Sequence, residues 1–451
     1  MNIRSPIVSV LGHVDHGKSS VLDAIRDTNI LATEAGAITQ AIGASIIPKE
    51  TILNKCGDLL TKMGVTLTIP GLLFIDTPGH AAFSSLRKRG GSLADIAVVV
   101  VDLREGCKPQ TLEAIDILRA SKTPFVVVAN KIDTVGRFRL PQTNQPVLQT
   151  INQQDEQTKT LIENKMYELI GQLYSHTQMS SERFDRVSDF TKELAIIPLS
   201  AMNKIGISEL LMVLGALAQK FLENRLSFEE SGPAKGTILE VKEEKGLGTT
   251  MDVILYNGTL RVNDTLVIGS LQEPIVTHVR ALFEPEANNE MRDSKSAFKP
   301  VKEVVSATGV KISCPDMDGV MSGMPVISCN KNPESIALAK QQVKAQIDEV
   351  SVPLDSEGII IKADNIGSLE ALSVLLREKG FKIRRATVGS ISKKDVTEAE
   401  SNFESDELNA VILGFNIPSE TSSKKVKIIT SKVIYQLIEE YEESSLQKQK
   451  E

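Results

Sequence analysis

The chain reads as an α/β protein in three parts: a doubly wound, mostly parallel sheet, then a β-barrel, then a small α/β sandwich. Three observations predict this. The apolar runs Ile7–Leu11, Leu72–Ile75, Ile96–Val101, Phe125–Ala129 and Ala195–Leu199 are strand-sized and alternate with helical patterns. After Pro233 the pattern changes to short strands broken by glycine and asparagine turns, where helices are hard to place. Beyond Pro353 strands and helices alternate again. The boundaries fall at 1–227, 234–330, 331–352 (a connecting helix), 353–430 and 431–451, the last being the start of a further helix. A chain of 451 residues can build a separate core for each part.

In the first part, the segment between Asp133 and Ala195 is an insertion of unassigned role. Its stretch Thr160–Tyr174 places Leu161, Met166, Ile170 and Leu173 near helical spacing, which reads as core packing. A helix over Ile207–Leu226, apolar on one face, leads into the linker Glu229-Glu-Ser-Gly-Pro233. In the second part Gly236–Lys242 alternates, Lys245-Gly-Leu-Gly248 turns, and Asn257-Gly258 lies between apolar runs as a hairpin turn. Asn332-Pro333 then opens a helix, cap residue before proline, with Ile336, Val343, Ile347 and Val350 on one stripe. The third part reads as strand Gly358–Lys362, helix Ser368–Lys379, strand Lys382–Ala386, helix Lys394–Asn402 and strand Asn409–Phe415. Asp364 with Gly367-Ser368 reads as a simple helix cap.

The chemistry concentrates where the strands of the first part end. Gly12-His-Val-Asp-His-Gly-Lys-Ser19 follows the first apolar run and precedes a helical pattern, the context of a phosphate-binding loop. Its glycines let the backbone wrap a polyphosphate, while successive N–H groups and the positive helix end supply donors. All of Gly12, His13, Val14, Asp15, His16, Gly17, Lys18, Ser19 and Ser20 are therefore candidate phosphate contacts, with Lys18 neutralising charge and the Ser19 hydroxyl ligating Mg2+.

Asn130-Lys-Ile-Asp133 follows another apolar run. A carboxylate at Asp133 can accept from both N1–H and the exocyclic amine of guanine. Adenine offers neither donor, and a buried carboxylate left unpaired costs roughly 1–3 kcal/mol or more. Asn130 would complete the polar edge, and the Lys131 stem would lie on the base face. Ser200-Ala201-Met202, after its own apolar run, suits a backbone N–H donating to the guanine carbonyl. The bound nucleotide is accordingly GTP or GDP.

Asp76-Thr-Pro-Gly-His80 and Thr39 supply the remaining parts. Asp76 would hold Mg2+ through a water, the Gly79 N–H would sense the terminal phosphate, and His80 would orient an attacking water. Thr39 is the natural second hydroxyl ligand. Two segments ordered by one phosphate make a GTPase switch. Each motif alone has an ordinary reading as a strand-to-helix turn, a polar loop or a structural histidine. Four in this order, three after apolar runs, define a P-loop GTPase domain.

These residues resemble the translational GTPases, which share Gly-His-Val-Asp-His-Gly-Lys and Asp-Thr-Pro-Gly-His. The flanking Arg4-Ser-Pro-Ile-Val-Ser-Val-Leu-Gly-His-Val-Asp15, Glu34-Ala-Gly-Ala-Ile-Thr-Gln40 and Leu86-Arg-Lys-Arg-Gly-Gly91 are similar to the archaeal and eukaryotic initiation factor 5B family, relatives of bacterial initiation factor 2. The similarity continues through Gly236-Thr-Ile-Leu-Glu-Val-Lys242 and Ile361-Lys-Ala-Asp-Asn-Ile-Gly-Ser-Leu-Glu-Ala371. It implies a ribosome-stimulated GTPase that promotes subunit joining and initiator tRNA placement, with rRNA and ribosomal protein as partners. A nucleotide-clamped ribosome-binding scaffold and a different translational GTPase are the alternatives. An α/β third part argues against a tRNA-delivering elongation factor, which carries a further barrel there.

By position, the resemblance makes Val14 and Ile38 an apolar gate around His80, and makes Asp15 a carboxylate beside a monovalent cation (Na+ or K+). Ala37 stands where the family has the glycine whose carbonyl shares that cation, and a positive φ would be strained in alanine. Ser19 replaces a more usual threonine and keeps the hydroxyl. The family continues through a long helix to a C-terminal barrel that contacts initiator tRNA. Here Ser431–Tyr441 begins such a helix and the chain stops at Glu451, so tRNA contact is expected to be indirect.

A net charge of −7 with 41% hydrophobic residues excludes a generally basic nucleic-acid binder. Local patches are left as ribosome contacts: Arg87-Lys-Arg89, near the switch turn, then Lys382–Arg385, Lys393-Lys394 and Lys424-Lys425, each of which alone reads as a solvated face. The four cysteines show no paired metal spacing, and no run can span a bilayer. A reduced, cytoplasmic, monomeric protein is expected, without membrane attachment. It has no tryptophan, so indole fluorescence cannot report on it.

Overall fold

A computed structural model describes residues 2–27, 43–76, 94–143, 145–222, 226–228, 232–244, 247–270, 273–285, 298–317, 319–348, 357–364, 379–403, 410–417, 425–431 and 434–450, with positions 355, 369, 372, 373, 375–377 and 423. They form two compact units. One holds the described residues up to Val343 except 321–324, and the other holds those four and the residues from Lys344 onward.

The first unit begins with β1 (Asn2–Ile3), β2 (Ile7–Gly12), α1 (Lys18–Arg26), β3 (Gly43–Pro48), α2 (Lys49–Lys62), β4 (Gly71–Asp76), β5 (Ile96–Asp102), α3 (Pro109–Ala120) and β6 (Phe125–Asn130). It continues with α4 (Val147–Asn152), α5 (Glu156–Thr177), β7 (Ser180–Arg183), β8 (Glu193–Pro198), α6 (Ile207–Leu217) and β9 (Ser227–Phe228). Seven of these strands form one sheet in the order β3-β4-β2-β5-β6-β8-β7. Only β3 runs antiparallel to its neighbour. Every residue of β2 and β5 is buried, as expected of parallel strands covered on both faces. The phosphate-loop strand β2 lies between β4 and β5, so the loops after β2, β4 and β6 open on one edge of the sheet.

Two helices differ from the sequence reading. In α5 the buried stripe is Ile162, Met166, Leu169 and Leu173, and Leu161 is 46% exposed. The apolar count allowed either phase, and packing against the neighbouring structure decides it, while Asp155 caps the helix start by accepting from the Thr158 N–H. The insertion thus adds two helices, α4 and α5, and the edge strand β7 of the sheet. Helix α6 ends at Leu217, short of Leu226, and passes into a π-turn over Ala218–Leu222. It is buried almost all round, from Glu209 to Gly215, where one apolar face was expected. It packs against α2 as well as on the core, and a helix covered on several sides carries apolar residues on several faces.

The β-rich region contains β10 (Lys235–Glu244), β11 (Gly248–Asn257), β12 (Thr259–Arg261), β13 (Thr265–Ile268), β14 (Ile275–His278), β15 (Ala281–Pro285), β16 (Phe298–Val301), β17 (Glu303–Val305), β18 (Thr308–Ser313) and β19 (Pro325–Cys329). Eight strands pair antiparallel in the order β14-β13-β19-β10-β11-β18-β15-β16, and β12 pairs with β17. The turn between β10 and β11 falls where Lys245-Gly-Leu-Gly248 placed it, residues 245–246 lying outside the described set. Asn257-Gly258 does not make a hairpin. The chain leaves β11 there and enters β12, which pairs elsewhere. Gly258 has φ 72, and a Cβ on it would lie 2.3 Å from the Pro233 carbonyl oxygen, so close backbone approach explains this glycine.

Asn332 caps α7 (Pro333–Asp348) as read, its Oδ1 accepting from the Ser335 N–H at 2.8 Å. Val343 is buried on the stripe, and Val350 lies outside the described residues.

The second unit carries β20 (Ile359–Ala363), β21 (Ile383–Val388), α8 (Lys393–Phe403), β22 (Val411–Phe415), β23 (Lys427–Ser431) and α9 (Ile434–Lys450). Its four strands are parallel in the order β21-β20-β22-β23. Ile361, Leu413 and Ile429 face Leu372, Leu376 and the α9 residues Leu437, Ile438 and Tyr441. Ile360 and Ile412 face Ala399 of α8. Two features escaped the sequence reading. Strand β23 was not distinguished from the approach to the last helix, and α9, read as a connector, buries its first two turns in this core.

Candidate nucleotide-binding site

The phosphate loop turns back on itself through left-handed backbone at Asp15 (φ 64) and Gly17 (φ 91). Gly17 precedes α1 as its N-cap with no side-chain cap, and a Cβ there would sit 2.4 Å from Asn130 Nδ2. Glycine is needed for both reasons. Lys18 is buried, and its Nζ donates to the carbonyls of Gly12 (3.0 Å) and His13 (2.9 Å). That places its charge inside the loop, at the N-terminus of α1, where helix end and ammonium together favour an anion.

Asn130 ends β6, is 1% exposed, and uses both amide atoms. Nδ2 donates to the His16 carbonyl at 2.9 Å, and Oδ1 accepts from the Ala201 N–H at 3.1 Å. Its side chain is therefore a strut joining the phosphate loop to Ser200-Ala201-Met202, a role beyond the base contact read from the sequence; its second N–H and the other lone pair on its oxygen are still open to a base. A short polar side chain at the end of a strand can serve both roles, and only the fold shows the strut. The Ala201 N–H is engaged in this strut.

Lys131 follows with φ 64, and its Nζ donates to the Asp15 carbonyl at 2.6 Å and pairs with Asp102 at 2.9 Å. Its stem is thereby stretched across the mouth of the loop, where a base can stack. Asp133 is half-buried, and Asn203 Nδ2 donates to its Oδ2 at 3.0 Å. Ser200 is buried, exchanges backbone bonds with Ile205, and accepts from Asn203 through its hydroxyl. These bonds close 200–205 into a tight turn beside Asp133.

Two residues that the sequence reading passed over organise the site. Asp102 ends β5, is fully buried, and accepts from the Arg104 backbone N–H and guanidinium at 2.9 Å each. Burial alone would push its carboxyl up, but hydrogen bonds from Arg104 and Lys131 outweigh it and hold the group at about 2. An aspartate ending an otherwise apolar strand was the available signal. Asn203 is the other, with no signal beyond its place after Met202.

His16 reads differently from its place in the motif. Its side chain is 1% exposed and packs edge-on against His13, ring centroids 5.0 Å apart. Burial, helped by His13, lowers it to about 4. It is a neutral imidazole beneath the loop, so contact with a phosphate is left to its backbone. Val14 is 40% exposed, Asp15 is exposed, and Met202 is 81% exposed.

The metal ligands can be checked in part. Ser19 lies in the first turn of α1, and Asp76 ends β4 in parallel register with Val10 of β2. The backbone thus sets Ser19 at a helix start and Asp76 at a neighbouring strand end, residue types whose hard oxygens suit Mg2+. Thr39, Ala37, Ile38, Gly79, His80 and Arg87–Arg89 lie outside the described residues, as do Lys424 and Gly367-Ser368. Among the described residues no helix is long and apolar enough to cross a membrane.

The family model "Elongation factor Tu GTP binding domain" matches residues 3–220, and "Translation-initiation factor 2" matches residues 331–442. The chain is 50% identical over 446 residues to a probable translation initiation factor IF-2 of Thermococcus onnurineus, covering 98% of this chain and 74% of that relative. It is 51% identical over 415 residues to a probable translation initiation factor IF-2 of Methanopyrus kandleri, covering 92% of this chain and 69% of the relative. Among solved structures, GDP-bound aIF5B from Aeropyrum pernix superposes with a TM-score of 0.85 at 42% identity, over 99% of this chain and 75% of that one. The chain belongs to the translation initiation factor IF-2 family, and is a guanine-nucleotide-binding, ribosome-dependent GTPase of translation initiation.

Proposed function

We propose that this chain hydrolyses GTP on the ribosome to promote joining of the two subunits and placement of initiator tRNA, acting as a cytoplasmic monomer. The reading rests on one feature above others: Asn130 and Lys131 bond directly to the phosphate loop, so base and phosphate segments form one interlocked frame. In it Asp133 accepts from the guanine edge, Lys131 covers the base, and Met202 lies on the rim. Gly12 to Ser20 cradle the phosphates. Ser19, Thr39 and Asp76 would hold Mg2+, which supplies charge neutralisation at the phosphates. Lys18 adds a second positive charge there.

His80 is assigned water orientation, with the Gly79 N–H sensing the terminal phosphate and Val14 and Ile38 gating access. Asp15 and the Ala37 carbonyl would hold a monovalent cation. The G region spans 1–227, the β-rich region 234–330 and the connecting helix 331–352. The α/β sandwich, assigned to 353–430, extends into 431–451 through the packing of α9.

The test is multiple-turnover phosphate release with and without both ribosomal subunits. Stimulated release is expected, with His80→Ala keeping GTP affinity and losing the stimulation. Stimulation that survives His80→Ala would remove the histidine from the mechanism. No release under either condition would favour a nucleotide-clamped ribosome-binding scaffold.

A further inference from the structure

The Lys131 ammonium is held from two sides. On one side it meets the Asp15 carbonyl of the phosphate loop at 2.6 Å, and on the other the Asp102 carboxylate at 2.9 Å. Asp102 is fully buried, whereas Lys131 is about a quarter exposed and Arg104 about half. The carboxylate is the fixed point of the three. Its own position is set by the chain: β5 pairs with β6 so that Asp102 lies in register with Asn130, and the Leu103 N–H donates to the Asn130 carbonyl at 3.0 Å. The Glu105 and Gly106 N–H groups close a turn on the Asp102 carbonyl. Arg104, from the same turn, covers the carboxylate with its guanidinium. A lysine stem carries several rotatable bonds, and fixing its head costs side-chain entropy that a bound base would otherwise have to offset.

We propose that Asp102 is a positioning residue for guanine-nucleotide retention, holding Lys131 extended over the base site before the nucleotide arrives, with Arg104 holding Asp102. The proposal rests on the assignment of Lys131 to the base face. Asp102 touches no nucleotide. It acts through Lys131, and its removal should matter only while Lys131 is present.

That condition gives the test. Dissociation of a fluorescently labelled GDP is followed after adding excess unlabelled GDP, since the chain has no tryptophan. Asp102→Asn should speed dissociation about 10-fold, and Lys131→Met by at least as much, with the double variant no faster than Lys131→Met alone. Arg104→Gln, at an exposed side chain, should give a smaller acceleration that likewise vanishes in the Lys131→Met background. This second pair keeps the test alive should Asp102→Asn fold poorly.

Asp102 and Lys131 effects that multiply in the double variant would overturn the proposal, as would an Asp102→Asn rate equal to the parent's. Unchanged dissociation in Lys131→Met would instead remove Lys131 from the base site, and the proposal would fall with it. A Lys131→Met effect with none from Asp102→Asn keeps the base site and rejects the positioning role alone.

Discussion

Two buried aspartates, one in the nucleotide region and one in the β-rich region, are shifted in opposite directions although each has two cations nearby. Asp102 is held at about 2, whereas Asp252, 4% exposed on β11, is pushed up to about 6. The difference lies in aim. The Arg104 guanidinium and Lys131 both reach Asp102 Oδ2 at 2.9 Å, and the Arg104 backbone N–H and Nε donate to Oδ1 at 2.9 and 3.2 Å. Around Asp252, Lys242 stands 3.6 Å away and is closer to Glu240 at 2.8 Å, while Lys311 pairs with Glu244. Its Oδ1 has no hydrogen-bond partner among the described residues. Burial therefore dominates, and the neighbouring Glu240 and Glu244 add to it. Proximity of positive charge is not enough. A buried carboxyl is held below its ordinary range only where donors are directed at it.

The largest expected effect tests the satisfied member. Asp102→Ala leaves Lys131 and Arg104 without their shared partner, and should cost about 3 kcal/mol of unfolding free energy at pH 7 by circular dichroism and denaturant. A loss below about 1 kcal/mol, the range of exposed pairs, would mean that the clamp is ornamental.

The next effect concerns His16, buried under the same loop. Its folded value of about 4 lies below the ordinary 6.5, so its contribution is complete above pH 6.5 and is lost as pH falls toward 4. The parent should lose about 3 kcal/mol across that window that His16→Gln does not lose. Equal pH slopes in the two proteins would show that His16 is not buried as a neutral ring.

A smaller effect of opposite sign is expected at Asp252. A carboxyl raised to about 6 favours folding below its ordinary 3.8, and that contribution is lost as pH rises through 6. Asp252→Asn should gain about 2 kcal/mol relative to the parent on going from pH 4 to pH 8. No change in their difference would place solvent or a donor at Oδ1.

Much of this was legible in the order of residues. Strands β2, β5, β6 and β8 are continuous apolar runs, and parallel strands buried on both faces leave that mark without help from tertiary context. The phosphate loop was equally plain, because glycine and lysine spacing is dictated by a phosphate's size. Less legible was anything decided between distant segments. The strut that Asn130 makes is invisible until the fold brings His16 and Ala201 to its two amide atoms. Gly258 reads as a hairpin glycine until Pro233 is seen against it. The phase of α5 and the docking of α9 depend on which face finds a partner, and local periodicity carries no such information. Asp102 was visible only as the residue that closed an apolar run.

The most direct measurement is competition for the site. Fluorescently labelled GDP is bound to the purified chain with magnesium and challenged with GTP, ATP or xanthosine triphosphate, for the parent and for Asp133→Asn. Displacement of the label from the parent by GTP and not by ATP is expected, with preference passing to xanthosine triphosphate in Asp133→Asn. Equal displacement by ATP, or a variant that still prefers GTP, would contradict the assignment of the guanine site.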